Sequence, residues 1–216
     1  MVRRVSSERP ILCAVLDGPA LGPDPGDSAR ALFAAGVDWI QLRDRSLETI
    51  ALLRLARSLV EARDAASPPP HPRRVLVNRR LDIVLAAGAN GAHLGFDAVD
   101  AATAAALLPA DALLGASLHS VDEIRSSLGS GLCYAHLAPI WDPLSKPASR
   151  PSLGLDALRQ ASGLGLLVLA QGGIDPDRAA LAVEAGAAGV AVTGVLGRSG
   201  SPLDAVRRLR EALDRK

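Results

Sequence analysis

A chain of 216 residues, 49% hydrophobic and 22% charged, is long enough for one substantial core and for one domain or at most two. Basic and acidic residues nearly cancel, 24 against 23, and aromatics make up only 2%; neither a basic field nor a stacking surface for nucleic acid is expected. The first apolar run, Ile11 to Leu16, stops at Asp17-Gly18-Pro19, too soon for a signal segment or a membrane helix, and the lone Cys13 and Cys133 read as buried thiols suited to a reducing cytoplasm.

In chain order, Ile11 to Leu16 is predicted as the first strand, and Asp17 to Pro25 as a Gly/Pro/Asp loop. Asp27 to Ala35 reads as a helix closed by Gly36. Val37 to Leu42 is the second strand, running into Arg43-Asp44-Arg45. Ser46 is the expected cap of a long helix with Leu47, Ile50, Leu53, Leu55, Leu59 and Val60 as its apolar stripe. The proline-rich stretch from Ser67 to Pro72 is expected to be a stiff exposed loop.

Val75 to Val77 is the third strand, ending at Asn78, and Leu81 to Ala87 is a short helix before Gly88. Gly91 to Leu94 is the fourth strand, followed by an alanine-rich helix from Ala98 to Leu108. Leu113 to Ser117 is the fifth, with His119 and Ser120 after it and a helix from Val121 to Leu128. Cys133 to Ala138 is the sixth, then a long polar loop to Ser152 and a helix from Leu155 to Ala161. Leu166 to Ala170 is the seventh strand; Gly172-Gly173 turns the chain, Asp175 caps and Pro176 starts a helix that stops at Gly186. Gly189 to Val192 is the eighth, ending in Thr193-Gly194, and Ser201-Pro202 opens the last helix.

Eight alternating strand–helix pairs imply a parallel sheet with right-handed crossovers, and eight in a short chain imply a single (β/α)₈ TIM barrel over residues 1–216 rather than an open sheet. The segments AAGVDWIQL, AAGANGAHL, GSGLCYAHL and EAGAAGVAV repeat the same helix end, glycine and strand. In such a barrel the chemistry lies at the carboxyl ends of the strands. Three candidate groups fall there. Gly172, Gly173, Thr193 and Gly194 form small turns after the last two strands, where backbone N–H groups can hold a phosphate. Gln41, Arg43 and Arg45 alternate at the end of the second strand, and guanidiniums suit phosphate; the alternative is that Arg45 is solvated and Arg43 pairs with a carboxylate such as Asp44 or Asp82. His119 is a candidate acid or base, with Ser117 two residues earlier to orient a substrate. His93 is placed as packing under the mouth, His136 within its strand, and His71 in solvent. The loop from Pro139 to Pro147 could carry Lys146 over an anionic substrate. No metal-ligand spacing, P-loop, nucleophile elbow or dinucleotide fingerprint is present.

QLRDR at 41–45, VNRRLDIVLAAGANGAHLG at 77–95, LGASLHSVDE at 114–123, LSKP at 144–147, QGGI at 171–174 and GVAVTGVL at 189–196 follow one another in order. This set resembles the family of thiamine-phosphate synthases and their sister thiazole tautomerases, over Ile11 to Leu196. The resemblance implies a barrel that binds a thiazole phosphate through Gly172, Gly173, Thr193 and Gly194. For a synthase it also implies a pyrimidine diphosphate, held by Gln41, Arg43, Arg45, Asn78, Ser145 and Lys146, which loses diphosphate before the thiazole nitrogen attacks.

The chain departs from that pattern where a synthase would hold Mg²⁺. Arg79 follows Asn78 where the family has aspartate, Ala98 stands at the second aspartate, and Asp97 comes one residue early. Pro143 replaces a threonine of the loop, and Arg45 stands for a lysine. A tautomerase moves only a proton and a double bond, with no diphosphate to expel. The expectation is therefore a tautomerase-like enzyme acting through His119 without metal or cofactor, with a divergent, Mg²⁺-using synthase as the alternative and a silent phosphate binder as the third reading. Small-molecule substrates are the expected partners, without nucleic acid or membrane, and a homo-oligomer is compatible with these features.

Overall fold

The structure is a computed structural model that describes residues 9–65, 72–142, 150–198 and 200–215. The strands are β1 (Ile11–Leu16), β2 (Trp39–Leu42), β3 (Arg74–Asn78), β4 (Gly91–Leu94), β5 (Leu113–Leu118), β6 (Tyr134–Leu137), β7 (Leu167–Gln171) and β8 (Gly189–Val192). All pair in parallel and in order, and β8 closes on β1 with Leu12 opposite Val190 and Cys13 opposite Ala191. The expected (β/α)₈ barrel is the observed one. Between and after the strands run α1 (Gly18–Leu21), α2 (Pro25–Ala35), α3 (Thr49–Ala65), α4 (Leu81–Ala87), α5 (Ala101–Leu107), α6 (Val121–Ser127), α7 (Gly154–Ser162), α8 (Pro176–Glu184), α9 (Gly194–Arg198) and α10 (Pro202–Asp214). No helix among the described residues is long and apolar enough to cross a membrane.

Strand alternation divides the core in two. Leu12, Ala14 and Leu16 of β1 join the layer between barrel and helices, while Ile11, Cys13 and Val15 point into the barrel with Trp39, Leu76, Leu113, Tyr134 and Leu169. Both cysteines are free and buried in this interior, as expected. The Tyr134 ring packs edge-on to Trp39, with centroids 5.1 Å apart. It fits only because Gly115 has no side chain, since a Cβ there would overlap the ring. Below, Asp38 ties the barrel floor together. It accepts from the Leu12 amide at 2.9 Å, from Arg9 Nη2 at 2.6 Å and from Arg210 Nη1 at 3.1 Å.

Three local expectations are corrected. The stretch after β1 is not all loop: the Asp17 side chain accepts from the Ala20 amide at 2.9 Å and Pro19 supplies a fixed φ, so α1 forms. Ser46 does not cap the long helix. Asp44 takes the amides of Ser46 and Leu47 in a turn of its own, α3 begins only at Thr49, and the stripe shifts so that Ile50 is exposed and Leu52 is buried. The alanine-rich helix starts at Ala101, because Asp100 caps it by accepting from the Thr103 amide. Most of the proline-rich stretch, including His71, lies outside the described residues, as do Pro143, Ser145 and Lys146.

Candidate active site

The last inward residue of each strand faces the carboxyl-end mouth. Gln41 of β2, Asn78 of β3, Ser117 of β5, His136 of β6 and Gln171 of β7 thus make a polar layer above the aromatic one. A cavity of about 440 Å³ opens over it. Gln41, Arg43, Ser117, His119, Gly172, Gly173, Thr193 and Gly194 all line it, so eight residues singled out in the sequence meet at one mouth. Asn78 is buried beside Gln41, whose Nε2 donates to Asn78 Oδ1 at 3.4 Å, and Arg45 lies further out on the rim. His136, Gln171 and Arg150 also line the cavity and were not among the sequence candidates. The signal for His136 and Gln171 was strand alternation, each two residues after an inward side chain.

On one side of the mouth the wall is backbone. Gly172 and Gly173 have φ of 95° and 65°, which glycine alone adopts without strain. The loop after β6 also presses on them. A Cβ on Gly172 would come within 2.8 Å of Pro139, and one on Gly173 within 2.5 Å of the Asp142 carbonyl. Arg178 of α8 braces the turn by donating to the Gly173 carbonyl at 2.8 Å while its guanidinium lies over Trp141.

On the other side the wall is charge. No carboxylate among the described residues pairs with Arg43. Asp44 is occupied by the amides of Gly18, Ser46 and Leu47, and Asp82 by Arg80. Arg45 approaches Asp97 at 3.6 Å, and Arg79 holds the same carboxylate at 2.9 Å.

Between the two walls lie the histidines. His119 Nδ1 is 2.7 Å from the Ala138 carbonyl. A carbonyl only accepts, so Nδ1 carries a proton, and in the neutral ring it is Nε2 that keeps the lone pair. Beneath, His93 links Tyr134 Oη, 3.1 Å from Nδ1, to Ser117 Oγ, 2.8 Å from Nε2. Burial, reinforced by His136 and Arg43, holds His93 well below the ordinary histidine pKa, so it is neutral; burial also raises Tyr134, so the phenol keeps its proton. The buried phenol must spend that proton, and Nδ1 is its acceptor. His93 then donates from Nε2 to Ser117, which leaves the serine proton for the cavity. His136 is pushed down to about 3 by burial, against a hydrogen bond with Gln171, and its Nε2 has no partner among the described residues.

The magnesium ion that the resemblance implies for a synthase does not fit these residues. Mg²⁺ requires several hard oxygens. Asp97 is engaged by two guanidiniums, Arg79 brings a positive charge, and no group of three or more metal-competent His, Cys, Asp or Glu side chains exists among the described residues.

A closed parallel barrel with a polar cavity at its carboxyl-end mouth defines a (β/α)₈-barrel enzyme. The chain belongs to the thiamine monophosphate synthase family of thiamine-pathway enzymes, whose sequence model matches residues 12–196. It is 35% identical over 188 residues to a thiamine-phosphate synthase of Moorella thermoacetica, covering 86% of this chain and 87% of that one. It is also 35% identical over 195 residues to a thiamine biosynthesis bifunctional protein ThiM/ThiE of Symbiobacterium thermophilum, covering 90% of this chain but only 40% of that longer protein. A thiamine phosphate pyrophosphorylase from Pyrococcus furiosus has the same fold, with a TM-score of 0.82 at 23% identity over 94% of this chain and 95% of that one. These names favour the synthase alternative over the tautomerase first expected from the sequence.

Proposed function

We propose that the chain is a transferase of the thiamine-phosphate synthase type. The observation that carries this reading is one cavity lined by two unlike surfaces, backbone at Gly172, Gly173 and Gly194 and guanidinium at Arg43, each of a kind that suits an anion. Two phosphorylated substrates need two such surfaces. The thiazole phosphate belongs in the glycine end, with Thr193 beside its phosphate. The pyrimidine diphosphate belongs toward Gln41, Arg43 and Arg45, with Asn78 supporting Gln41. The methylene C–O bond of the pyrimidine breaks, the electron pair departs with diphosphate, and the thiazole nitrogen lone pair forms the new C–N bond. Ser117, with its proton turned to the cavity, donates to an acceptor on the bound substrates. The relative named thiamine-phosphate synthase supports the same reaction.

A second reading rests on His119. Its free Nε2 at the cavity wall has the tautomer a base needs, so proton transfer on a thiazole carboxylate phosphate is the competing chemistry. One assay separates these. Pure protein is incubated with thiazole phosphate and pyrimidine diphosphate, and in parallel with the unisomerised thiazole, while thiamine phosphate and the aromatic thiazole are followed. Thiamine phosphate formation supports the transferase. Isomerisation alone replaces it with the tautomerase, and thiazole-phosphate binding without turnover of either set replaces both with a silent binder.

A further inference from the structure

We propose that Arg79, seated on Asp97, is a built-in cation: the rim formed by the loops after β2, β3 and β4 takes a diphosphate-type anion with guanidiniums alone, in place of a divalent metal. This rests on the transferase reading for the identity of the anion, but not for its chemistry. Arg79 is the single non-glycine residue at positive φ among the described residues, at 66°. A long side chain pays strain for that conformation, and such strain persists where the surroundings over-determine it. Here the Arg79 amide donates to the His93 carbonyl at 2.9 Å and the Leu81 amide donates to the Arg79 carbonyl at 3.1 Å, so the residue is pinned between β3 and α4. The result is a side chain that reaches the loop after β4, where Nη1 meets Asp97 Oδ2 at 2.9 Å.

Arg45 shares the other oxygen of that carboxylate, Oδ1, at 3.6 Å. Arg45 and Arg79 share Asp97, Arg43 lines the cavity beside them without a carboxylate partner among the described residues, and Asp44 is turned to the amides of Gly18, Ser46 and Leu47. One carboxylate cannot neutralise two guanidiniums, so the rim keeps positive charge and unused N–H donors. Forked donors match phosphate oxygens, and their charge is independent of pH. Asp97 then orients Arg79 rather than ligating a metal.

The test is calorimetric titration of the whole protein with inorganic pyrophosphate, once in excess chelator and once in excess Mg²⁺. Binding in chelator, no tighter in Mg²⁺, is expected. Arg79→Asn should weaken it about 10–100-fold, the worth of a charge-assisted contact. Asparagine tolerates positive φ, so this variant should keep the wild-type melting temperature or exceed it. Arg79→Asp combined with Ala98→Asp should make pyrophosphate binding depend on Mg²⁺. Wild-type binding that requires Mg²⁺, unchanged affinity in Arg79→Asn, or no pyrophosphate binding under either condition overturns the inference. Its failure is distinct from that of the transferase reading. Thiamine phosphate made only in Mg²⁺ sinks the built-in cation and keeps the transferase, whereas chelator-resistant pyrophosphate binding without condensation does the reverse.

Discussion

The two walls of the mouth are built by different means. At Gly172 and Gly173 the surface is backbone, set by positive φ and by the pressure of Pro139, Trp141 and Asp142. On the other side it is side-chain charge, Arg43 lining the cavity and Arg45 and Arg79 meeting at Asp97 further out on the rim. The backbone wall has no room for any side chain, so it can hardly drift without losing the loop after β6. The charged wall can be rewritten one residue at a time with the barrel intact.

The largest effect should come from breaking the backbone wall. Gly173→Asp places a carboxylate at the end of the cavity proposed for the thiazole phosphate, at φ of 65° and 2.5 Å from the Asp142 carbonyl. Like charges in contact cost several kcal/mol, so thiazole-phosphate affinity should fall by about 10³-fold. Thr193→Asp is the companion, because Thr193 is exposed and its backbone carries no positive φ. Calorimetry checks both, with thermal melting as the folding control. Near-normal affinity in a folded Thr193→Asp protein would move the phosphate elsewhere.

His119, between the walls, gives the next effect. If the chain tautomerises, His119→Ala should cost on the order of 10²–10⁴-fold in isomerisation, because a positioned base contributes about that much. If it condenses two substrates, the same variant should lose only a fewfold, since no proton need pass through His119 in bond formation. The ratio of the two losses, measured on one preparation, sorts the readings. Arg43→Ala sharpens the charged side: pyrophosphate binding should weaken about 10–100-fold while thiazole-phosphate binding stays within a factor of a few. Equal losses for both ligands would mean that the two walls do not serve separate anions.

What the sequence made legible follows the same division. The barrel was readable because each strand is a short apolar run set between helical segments, and β1, β4 and β8 fall on their expected residues. The glycine wall was readable because positive φ has a residue signature. Helix starts were misread where an aspartate captured the amides, as Asp44 and Asp100 do, because several polar residues nearby offer the same hydrogen bond. Arg43 was visible, but its freedom from a carboxylate was not, since that depends on Asp44 and Asp82 being occupied elsewhere. Arg79 was noticed as a departure; only the fold shows that Asp97 reaches it. His136 reads from the sequence as a strand residue only, although alternation from Tyr134 turns it to the cavity.

The smallest expected effect lies below both walls, in the layer they share. His136 is held neutral to about 3 and His93 well below the ordinary range, chiefly by burial. An unfolded histidine takes its proton near pH 6.5. Between that pH and the folded values the unfolded chain binds protons that the barrel refuses, so stability should fall as pH drops through this window. Each histidine contributes a slope of at most about 1.4 kcal/mol per pH unit. Carboxylates held low by arginine hydrogen bonds, such as Asp64 and Asp82, lose their contribution only below about pH 4, so the interval from about 6 to 4.5 reports the histidines. Urea unfolding across that interval should show a decline in the wild type that His136→Asn flattens by close to one proton, whatever it does to the absolute stability. An unaltered slope would mean that His136 is protonated within the fold, and that the polar layer under the mouth carries a charge of its own.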